Sequence, residues 1–438
     1  MPLSAIVIDR APDPVAVAQH FAGRPGFAFL HGASDGECGQ RSFVAVDPIE
    51  TVSAWLPGGE SRPDVTHGVA DARRDVPRWI GAIPYECARS LERPAWTRMP
   101  DDRPAPHLVQ PRWRRYGAVI DVDPARGVLR VSGDDGAKVK ELARELREHA
   151  LLRRARAPVR LEALDDEAPR AHLDRIGLAK ELIRAGDLYQ VNLARRQRFC
   201  VEGSPLDLYL AIAERAPAPY GACFDLDGMF VCASSPELFL DVDPSTGWVK
   251  TAPIKGTRPR GRDANADAKL RRELDESAKE RAELTMILDV ERNDLGKVCL
   301  PGSVRLLEGP RVATHPTVHH RSAVLGGLLR RGTTPLEALR AMFPSGSVTG
   351  APKVRAMEVI AQLEPARRGL YTGAFGHVSY GGSVCLAMAI RVLTMQGGEA
   401  HYFAGGGIVA DSDPDAELDE TRWKGTQIER LVARSPME

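Results

Sequence analysis

Four glutamates fall in two pairs whose spacing could build one site. Glu280 and Glu283 stand three apart in DANADAKLRRELDESAKERAELTMILDVERNDL, and Glu417 and Glu420 stand three apart in AELDETRWKGTQIERLVARS, with Lys424 one turn on. Residues at i, i+3 and i+7 share a helix face. Two such faces brought together would set four carboxylates around one point, a hard-oxygen donor set suited to Mg²⁺ and not to zinc. Two solvated helix faces would show the same spacing, so the pattern leaves both open. Lys255, in TAPIKGTRPRG (251–261), offers a different chemistry. An amine held among apolar residues has its charged form disfavoured and becomes nucleophilic. A solvated lysine at a strand-to-loop turn would read the same way.

Two glycine-rich stretches could receive an anion. GGGIVADSDPDAELDE begins at Gly405, and a glycine run after a strand lets backbone N–H groups come close to a ligand. No G-x-x-x-x-G-K-[ST] is present and GGG continues as strand into IVAD, which argues against nucleotide phosphate; a plain turn remains equally compatible. FPSGSVTGAPKVRAMEVI (343–360) places small residues before Pro352 at a predicted helix start. Such a loop can present backbone donors to a carboxylate, as can any loop-to-helix entry.

Helices must carry the acidic pairs, and strands most of the rest. The stretch from Asp263 reads as one long helix with charges interleaved on its outer face, and the one from Ala416 as a terminal helix. SVCLAMAIRVL and EAHYFAGGGIVA read as adjacent buried strands, GMFVCASSPELFLDVD and GWVKTAPIKGTRPRG as strand-rich. HLDRIGLAKELIRAGDLYQVNLARRQRF predicts a helix ending near Gly186 and a strand from Tyr189. Further upstream, GFAFLHG and WIGAIPYECARSLERP predict short strands, and GAVIDVD (117–123) with GVLRVSG (127–133) a hairpin. AKVKELARELREHALLRRARA (137–157) predicts a helix, and APVRLEALDDEAPR a linker and the main seam of the chain. Strands in long runs with helices appended, and no regular βαβ alternation, give an α+β class.

Bulk properties narrow the partners. The 438 residues can bury a large core, and 59 Lys plus Arg against 59 Asp plus Glu leave no global field for nucleic acid or an anionic membrane. No apolar run reaches the roughly 20 residues that span a bilayer, and the N-terminus lacks a basic then apolar leader. Seven scattered cysteines (38, 87, 200, 223, 232, 299 and 385), with no C-x-x-C pair, fit reduced thiols of a cytoplasmic protein.

Taken together, YQVNLARR (189–196), SSPELF (234–239), PIKGTRPRG, AELTMILDVERNDLGKV (282–298), VHH (318–320), FPSGSVTGAPKVRAMEVI, YTGAFG (371–376), AIR (389–391) and GGGIVADSDPDAELDETRWK resemble, in order, the chorismate-utilising family. That family includes anthranilate, aminodeoxychorismate, isochorismate and salicylate synthases. The resemblance implies two back-to-back, largely antiparallel β-sheets flanked by helices, with an active-site cleft between two lobes. Residues 1–160 would supply the N-terminal part of the sandwich and 161–438 the chorismate-binding catalytic domain. Water-adding members resemble K-V-V-L-A-R where this chain has Gln190-Val191-Asn192-Leu193-Ala194-Arg195, and glutamine cannot serve as their base. Anthranilate synthases resemble P-I-A-G-T where Lys255 interrupts the pattern here, and no L-L-E-S segment for feedback tryptophan is found. Both differences point to the aminodeoxychorismate synthase branch, with anthranilate synthase component I as the alternative.

The resemblance also implies roles. Lys255 would attack C2 of chorismate and expel the 4-hydroxyl; ammonia would then enter at C4 and expel the lysine. Glu237 would be the general acid and His320 an orienting group near the ring. Mg²⁺ on the ring carboxylate would be held by Glu283 and Glu420, with Glu280 and Glu417 reaching it directly or through water. Gly256 and Thr257 would donate to the same carboxylate, Tyr371, Arg391, Gly407 and Lys424 would meet the enolpyruvyl carboxylate, and Gln190 would be a further substrate-binding residue. Asp289, Arg292, Asn293 and Asp294 read as buried structural pairing. Cys385 stands where many relatives have aspartate. No glutaminase motif is seen, so ammonia would come from a separate glutamine amidotransferase subunit.

Overall fold

The computed structural model describes residues 3–9, 13–32, 41–59, 75–91, 101–315, 318–429 and 431. Cys38, Glu92, Arg93 and Pro94 lie outside them. Two antiparallel sheets form the molecule. Among the described residues the first has twelve strands, eleven running in space from Ser4–Ile8 through Val128–Gly133, Ala118–Asp123, Ser42–Ala45, Ala28–His31, Tyr220–Leu226, Met229–Ser235, Val392–Gln396 and Glu399–Ile408 to Gln190–Glu202 and Gly350–Ala351, with Arg160–Asp166 paired to Gln190–Glu202 beside this path. The second has ten among them, nine running from Ile254–Pro259 through Val318–Leu328, Trp248–Ala252, Leu238–Asp243, Val384–Met388, Ala374–Ser379 and Pro77–Ile83 to Arg112–Arg115 and Glu50–Val52, with Arg305–Thr314 paired to Val318–Leu328 beside this path.

The sheets lie back to back over one apolar layer. Phe43, Phe224 and Val231 of the first sheet share a cluster with Ile80, Phe375 and Ala387 of the second, and the Phe224 and Phe375 rings are 6.2 Å apart. Alternation along each strand turns the other side chains outward, where helices must cover them. Pro14–Phe21, Gly136–Glu148 and Pro205–Arg215 cover the first sheet. Ala278–Gly296 and Pro335–Met342 cover the second, while Lys353–Leu363 lies against Gln190–Glu202 and Gly350–Ala351 at the end of the first. Strands from before and after residue 160 are hydrogen-bonded within both sheets.

Four expected elements come out differently. The predicted linker contains the strand Arg160–Asp166, paired with Gln197–Glu202. Only Leu161 anchors it inward among the described side chains; a free sheet edge, invisible in a periodicity, makes the strand. The helix from 137 stops at Glu148, because the buried stripe Val139, Leu142, Ala143 and Leu146 ends there. Past it, the Gln19 side-chain amide clamps the backbone N–H and C=O of Arg154, each at 2.8 Å. The single long helix is two, Ala264–Glu276 and Ala278–Gly296, broken where extended Ser277 caps the second through the Glu280 N–H. SVCLAMAIRVL is two strands in different sheets, Val384–Met388 and Val392–Gln396, so only the latter neighbours the glycine-run strand.

Candidate active site

The chain crosses from one sheet to the other at two adjoining places. Ser235-Pro236-Glu237 leads from Met229–Ser235 into Leu238–Asp243, and Ala389-Ile390-Arg391 leads from Val384–Met388 into Val392–Gln396. They are tied together: the Met388 N–H donates to Glu237 O at 3.0 Å, and the Ser235 hydroxyl donates to Met388 O at 2.6 Å. The second crossing is strained, with Arg391 at φ 50 and its neighbour Thr372 at φ 60, a region that non-glycine residues rarely enter. That strain turns Arg391 toward a cavity of about 460 Å³, within the size range of small-molecule sites.

Thirteen of the fourteen residues expected to form the site line this cavity, Glu237 and Lys255 among them, together with all four glutamates and Lys424. Gln190 does not. Its amide packs behind Gly407, where an added Cβ would lie 2.1 Å from Nε2. The other two glycines of the run are crowded as well: a Cβ would meet Leu193 O at 2.6 Å from Gly405 and Glu417 Oε2 at 3.0 Å from Gly406. Gly256 has φ +91, and a Cβ there would meet Glu280 Oε2 at 2.9 Å. Glycine thus lets both strands lie directly against the acidic helices.

One end of the cavity is acidic. Helix Ala278–Gly296 brings Glu280 and Glu283, and helix Pro414–Glu429 brings Glu417 and Glu420. Burial pushes Glu283 above the usual carboxylate range, and Glu280 and Glu420 add to the rise. Cations partly offset the repulsion: Lys279 lies 3.2 Å from Glu417 and 3.9 Å from Glu283, Arg258 3.4 Å from Glu280, and Lys424 2.6 Å from Glu420. All four carboxylates line this one cavity, and carboxylate oxygens are donors of the type Mg²⁺ takes, but no three of them lie within 4.8 Å of one another.

The opposite walls carry an arginine, a tyrosine and a buried histidine. Arg391 has no acidic partner among the described residues, and burial works against its charge. Tyr371 stacks on Phe403 at 5.3 Å. Arg368 fixes its backbone surroundings, bonding Asn192 O at 2.8 Å and Glu364 at 2.6 Å, and lies 5.6 Å over the Tyr371 ring. His320 is buried and held neutral by desolvation and by Arg391; its Nδ1 meets the Thr257 hydroxyl at 2.8 Å, while Nε2 has no protein partner. Lys255 donates to Ser347 O at 3.0 Å. Its surroundings are acidic and not apolar as expected, since its charge acts on Glu237, Glu283 and Glu420. Glu237 is buried and pushed up to about 7 by desolvation, opposed by the Ser347 hydroxyl at 2.6 Å and by Lys255. A carboxyl in that range can give and regain a proton near neutral pH.

A family model described as chorismate binding enzyme matches residues 34–430. The chain belongs to the chorismate-binding family. Anthranilate synthase component 1 1 of Haloarcula marismortui is 38% identical over 382 residues, 82% of this chain and 77% of its own length. Aminodeoxychorismate synthase of Streptomyces griseus is 41% identical over 261 residues, 60% of this chain and 36% of its own. The crystal structure of anthranilate synthase component I from Streptococcus pneumoniae superimposes with a TM-score of 0.73 at 26% identity, covering 88% of this chain and 92% of that one.

Within this chorismate-utilising enzyme, several lining residues lie inside the quoted motifs but carry no spacing signal of their own. Asn192 is buried with its Oδ1 unpartnered and facing the cavity wall. Ser347, Lys279 and Arg258 hold Glu237 and the acidic cluster. Asp289, Arg292 and Asn293 are exposed, contrary to the expected buried pairing; Asp294 alone is buried, with Lys353 and Lys297. The buried stripe of this helix runs through Leu284, Ile287, Leu288, Glu291, Asp294 and Leu295, and of the four expected residues only Asp294 falls on it. Cys385 pairs across the ladder with Asp241 and His377 and does not line the cavity.

Proposed function

We propose that this enzyme aminates chorismate at C4 with ammonia to give 4-amino-4-deoxychorismate, a precursor of 4-aminobenzoate and folate. The observation that carries this reading is Lys255, a primary amine in the cavity beside a buried acid, Glu237. Amination with retention at C4 needs two displacements. Lys255 Nζ, once it has given up its proton, bonds to C2; the ring double bonds shift and the C4–O bond breaks. Glu237 gives its proton to the departing oxygen, which leaves as water. Ammonia then bonds to C4, the double bonds shift back, the Nζ–C2 bond breaks, and the surplus proton of the new ammonium returns to Glu237. One hard substitution becomes two easier ones.

The remaining groups hold the substrate. Glu283 and Glu420, with Glu280 and Glu417, would hold Mg²⁺, whose charge would fix and neutralise the ring carboxylate. The backbone of Gly256 and the Thr257 hydroxyl would donate to the same carboxylate. Arg391, with Tyr371, Lys424 and the backbone near Gly407, would take the enolpyruvyl carboxylate, the forked guanidinium suiting a planar anion. His320, neutral, would orient the ring.

Anthranilate synthase component I is the second reading, favoured by the name of the Haloarcula relative over four-fifths of this chain. One incubation separates them. With chorismate, Mg²⁺ and ammonium, fluorescent anthranilate supports the second reading. A product turned into 4-aminobenzoate by an added lyase supports the first.

We also propose that ammonia arrives from a separate glutamine amidotransferase subunit. The component 1 naming of relatives supports this.

A further inference from the structure

From Glu237 runs a line of four oxygen-bearing side chains, Glu237 included, that ends away from the cavity. The Ser347 hydroxyl lies 2.6 Å from Glu237 Oε1, and the two hydroxyls of Ser347 and Ser345 are 2.9 Å apart. Ser345 Oγ lies 2.9 Å from Glu291 Oε1. Glu237, Glu291, Ser345 and Ser347 are all buried, and Glu291 is 1% exposed and absent from the cavity lining. The Ser347 N–H also donates to Ser345 Oγ at 3.0 Å, and Thr251 Oγ1 lies 3.4 Å from Glu291 Oε2.

Counting protons along this line decides its state. Three oxygen–oxygen contacts each need one proton, and the two hydroxyls bring only two. With both carboxyls ionised, one contact must set two oxygens face to face with no proton between them, in a buried place where that is costly. One further proton completes the line. On Glu237 it orders the chain as Glu237 to Ser347 to Ser345 to Glu291; on Glu291 it reverses every bond.

We propose that Glu291 is a positioning residue for the acid–base step: it shares a single proton with Glu237 through Ser345 and Ser347. This rests on Glu237 being the acid of the chorismate site. When Glu237 gives its proton to the departing oxygen, the line is left with two ionised ends. Their repulsion and the unfilled contact draw the ammonium proton back to Glu237, so the line is recharged in the same turnover with no net change in atoms. Between turnovers the proton can rest on Glu291, with Glu237 ionised opposite Lys255. The groups facing the two carboxyls agree with one shared proton. Glu291 meets Lys353 and Asp294 besides Glu237, and is pushed up to about 8 by burial first and Glu237 next. Glu237 faces Lys255, Lys424 and the Ile254 N–H. The proton belongs to the pair and not to either residue.

The test is the pH profile of kcat for chorismate with ammonium in wild type, Glu291→Gln, Ser345→Ala and Glu237→Gln. A glutamine at 291 donates to Ser345 permanently and removes the second negative charge, so Glu237 loses its proton more easily. The alkaline limb of kcat should move to lower pH by about one unit, with KM for chorismate within about twofold. Ser345→Ala removes no charge but cuts the line, and should lower kcat by roughly tenfold at the wild-type optimum. Glu291→Asp, which keeps a carboxyl, should restore the limb toward its wild-type position. If Glu291→Gln folds, by circular dichroism, and loses rate equally at every pH with no shift, Glu291 only packs and the proposal is overturned. If it does not fold, an unchanged kcat in Ser345→Ala overturns it. Near-normal activity of Glu237→Gln is a separate failure, that of the acid assignment itself.

Discussion

Lys255 and Glu237 share the chemistry between a nucleophile and an acid, and each gives its own measurable consequence. Lys255→Ala should lose most of its C4 amination while still binding chorismate, because the carboxylate contacts lie on other residues. Wild-type enzyme given chorismate but no ammonia should gain the mass of a lysyl adduct. An intact-mass spectrum with no adduct, joined to near-normal turnover of the alanine variant, would reduce Lys255 to a lining residue and favour anthranilate formation. Glu237→Gln should cost about 10²–10⁴ in kcat. Since its carboxyl is raised to about 7, the proton it must donate is present below that pH and is lost as pH rises through it. Turnover of the wild type should therefore fall on the alkaline side; a profile flat from pH 6 to 9 would contradict this role.

Elements bring the four glutamates together, and each comes from a helix end with a structural reason. Ser277 breaks the long charged stretch and starts a new helix, so Glu280 and Glu283 stand in its first two turns, with Glu280 against Gly256. Gly406 and Gly256 leave room for the carboxylates of Glu417 and Glu280. Glu283→Ala and Glu420→Ala should abolish turnover and weaken Mg²⁺ binding by calorimetry, with an unchanged circular dichroism spectrum. Full activity in EDTA would exclude the metal. The spacing of these glutamates was legible in the sequence; the break at Ser277 was not. Its capping bond competes with a continuous helical charge pattern, and the competition is settled by the strands packed beneath.

At the scale of the molecule, the two crossings between sheets create the cavity, and no helix among the described residues is long and apolar enough to cross a membrane. The pure chain should turn over chorismate with ammonium salts and not with glutamine, and adding the amidotransferase subunit should confer glutamine use. Glutamine-driven turnover without the partner, measured as glutamate released, would contradict the proposed division between subunits. The sandwich was anticipated by the resemblance and not by periodicity. The strands Val384–Met388 and Val392–Gln396 look like one apolar run, and only their separate sheets show why Ala389–Arg391 must bend.

Residue types and spacing by themselves offered three kinds of chemistry: paired carboxylates of the sort a hard cation takes, a lysine amine, and glycine runs for close backbone approach. They also determined most strands and helices, because alternation and helical phase are local properties. Tertiary structure alone decided which of these meet. It set Lys255 among carboxylates instead of apolar residues, placed Gln190 behind Gly407, and turned Asp289, Arg292 and Asn293 outward. It also linked Glu291 to Glu237 through two serines more than fifty residues away along the chain from either Glu291 or Glu237. Burial, charge neighbours and hydrogen-bond order depend on what the rest of the fold brings within a few ångströms, and that is not written in any local pattern.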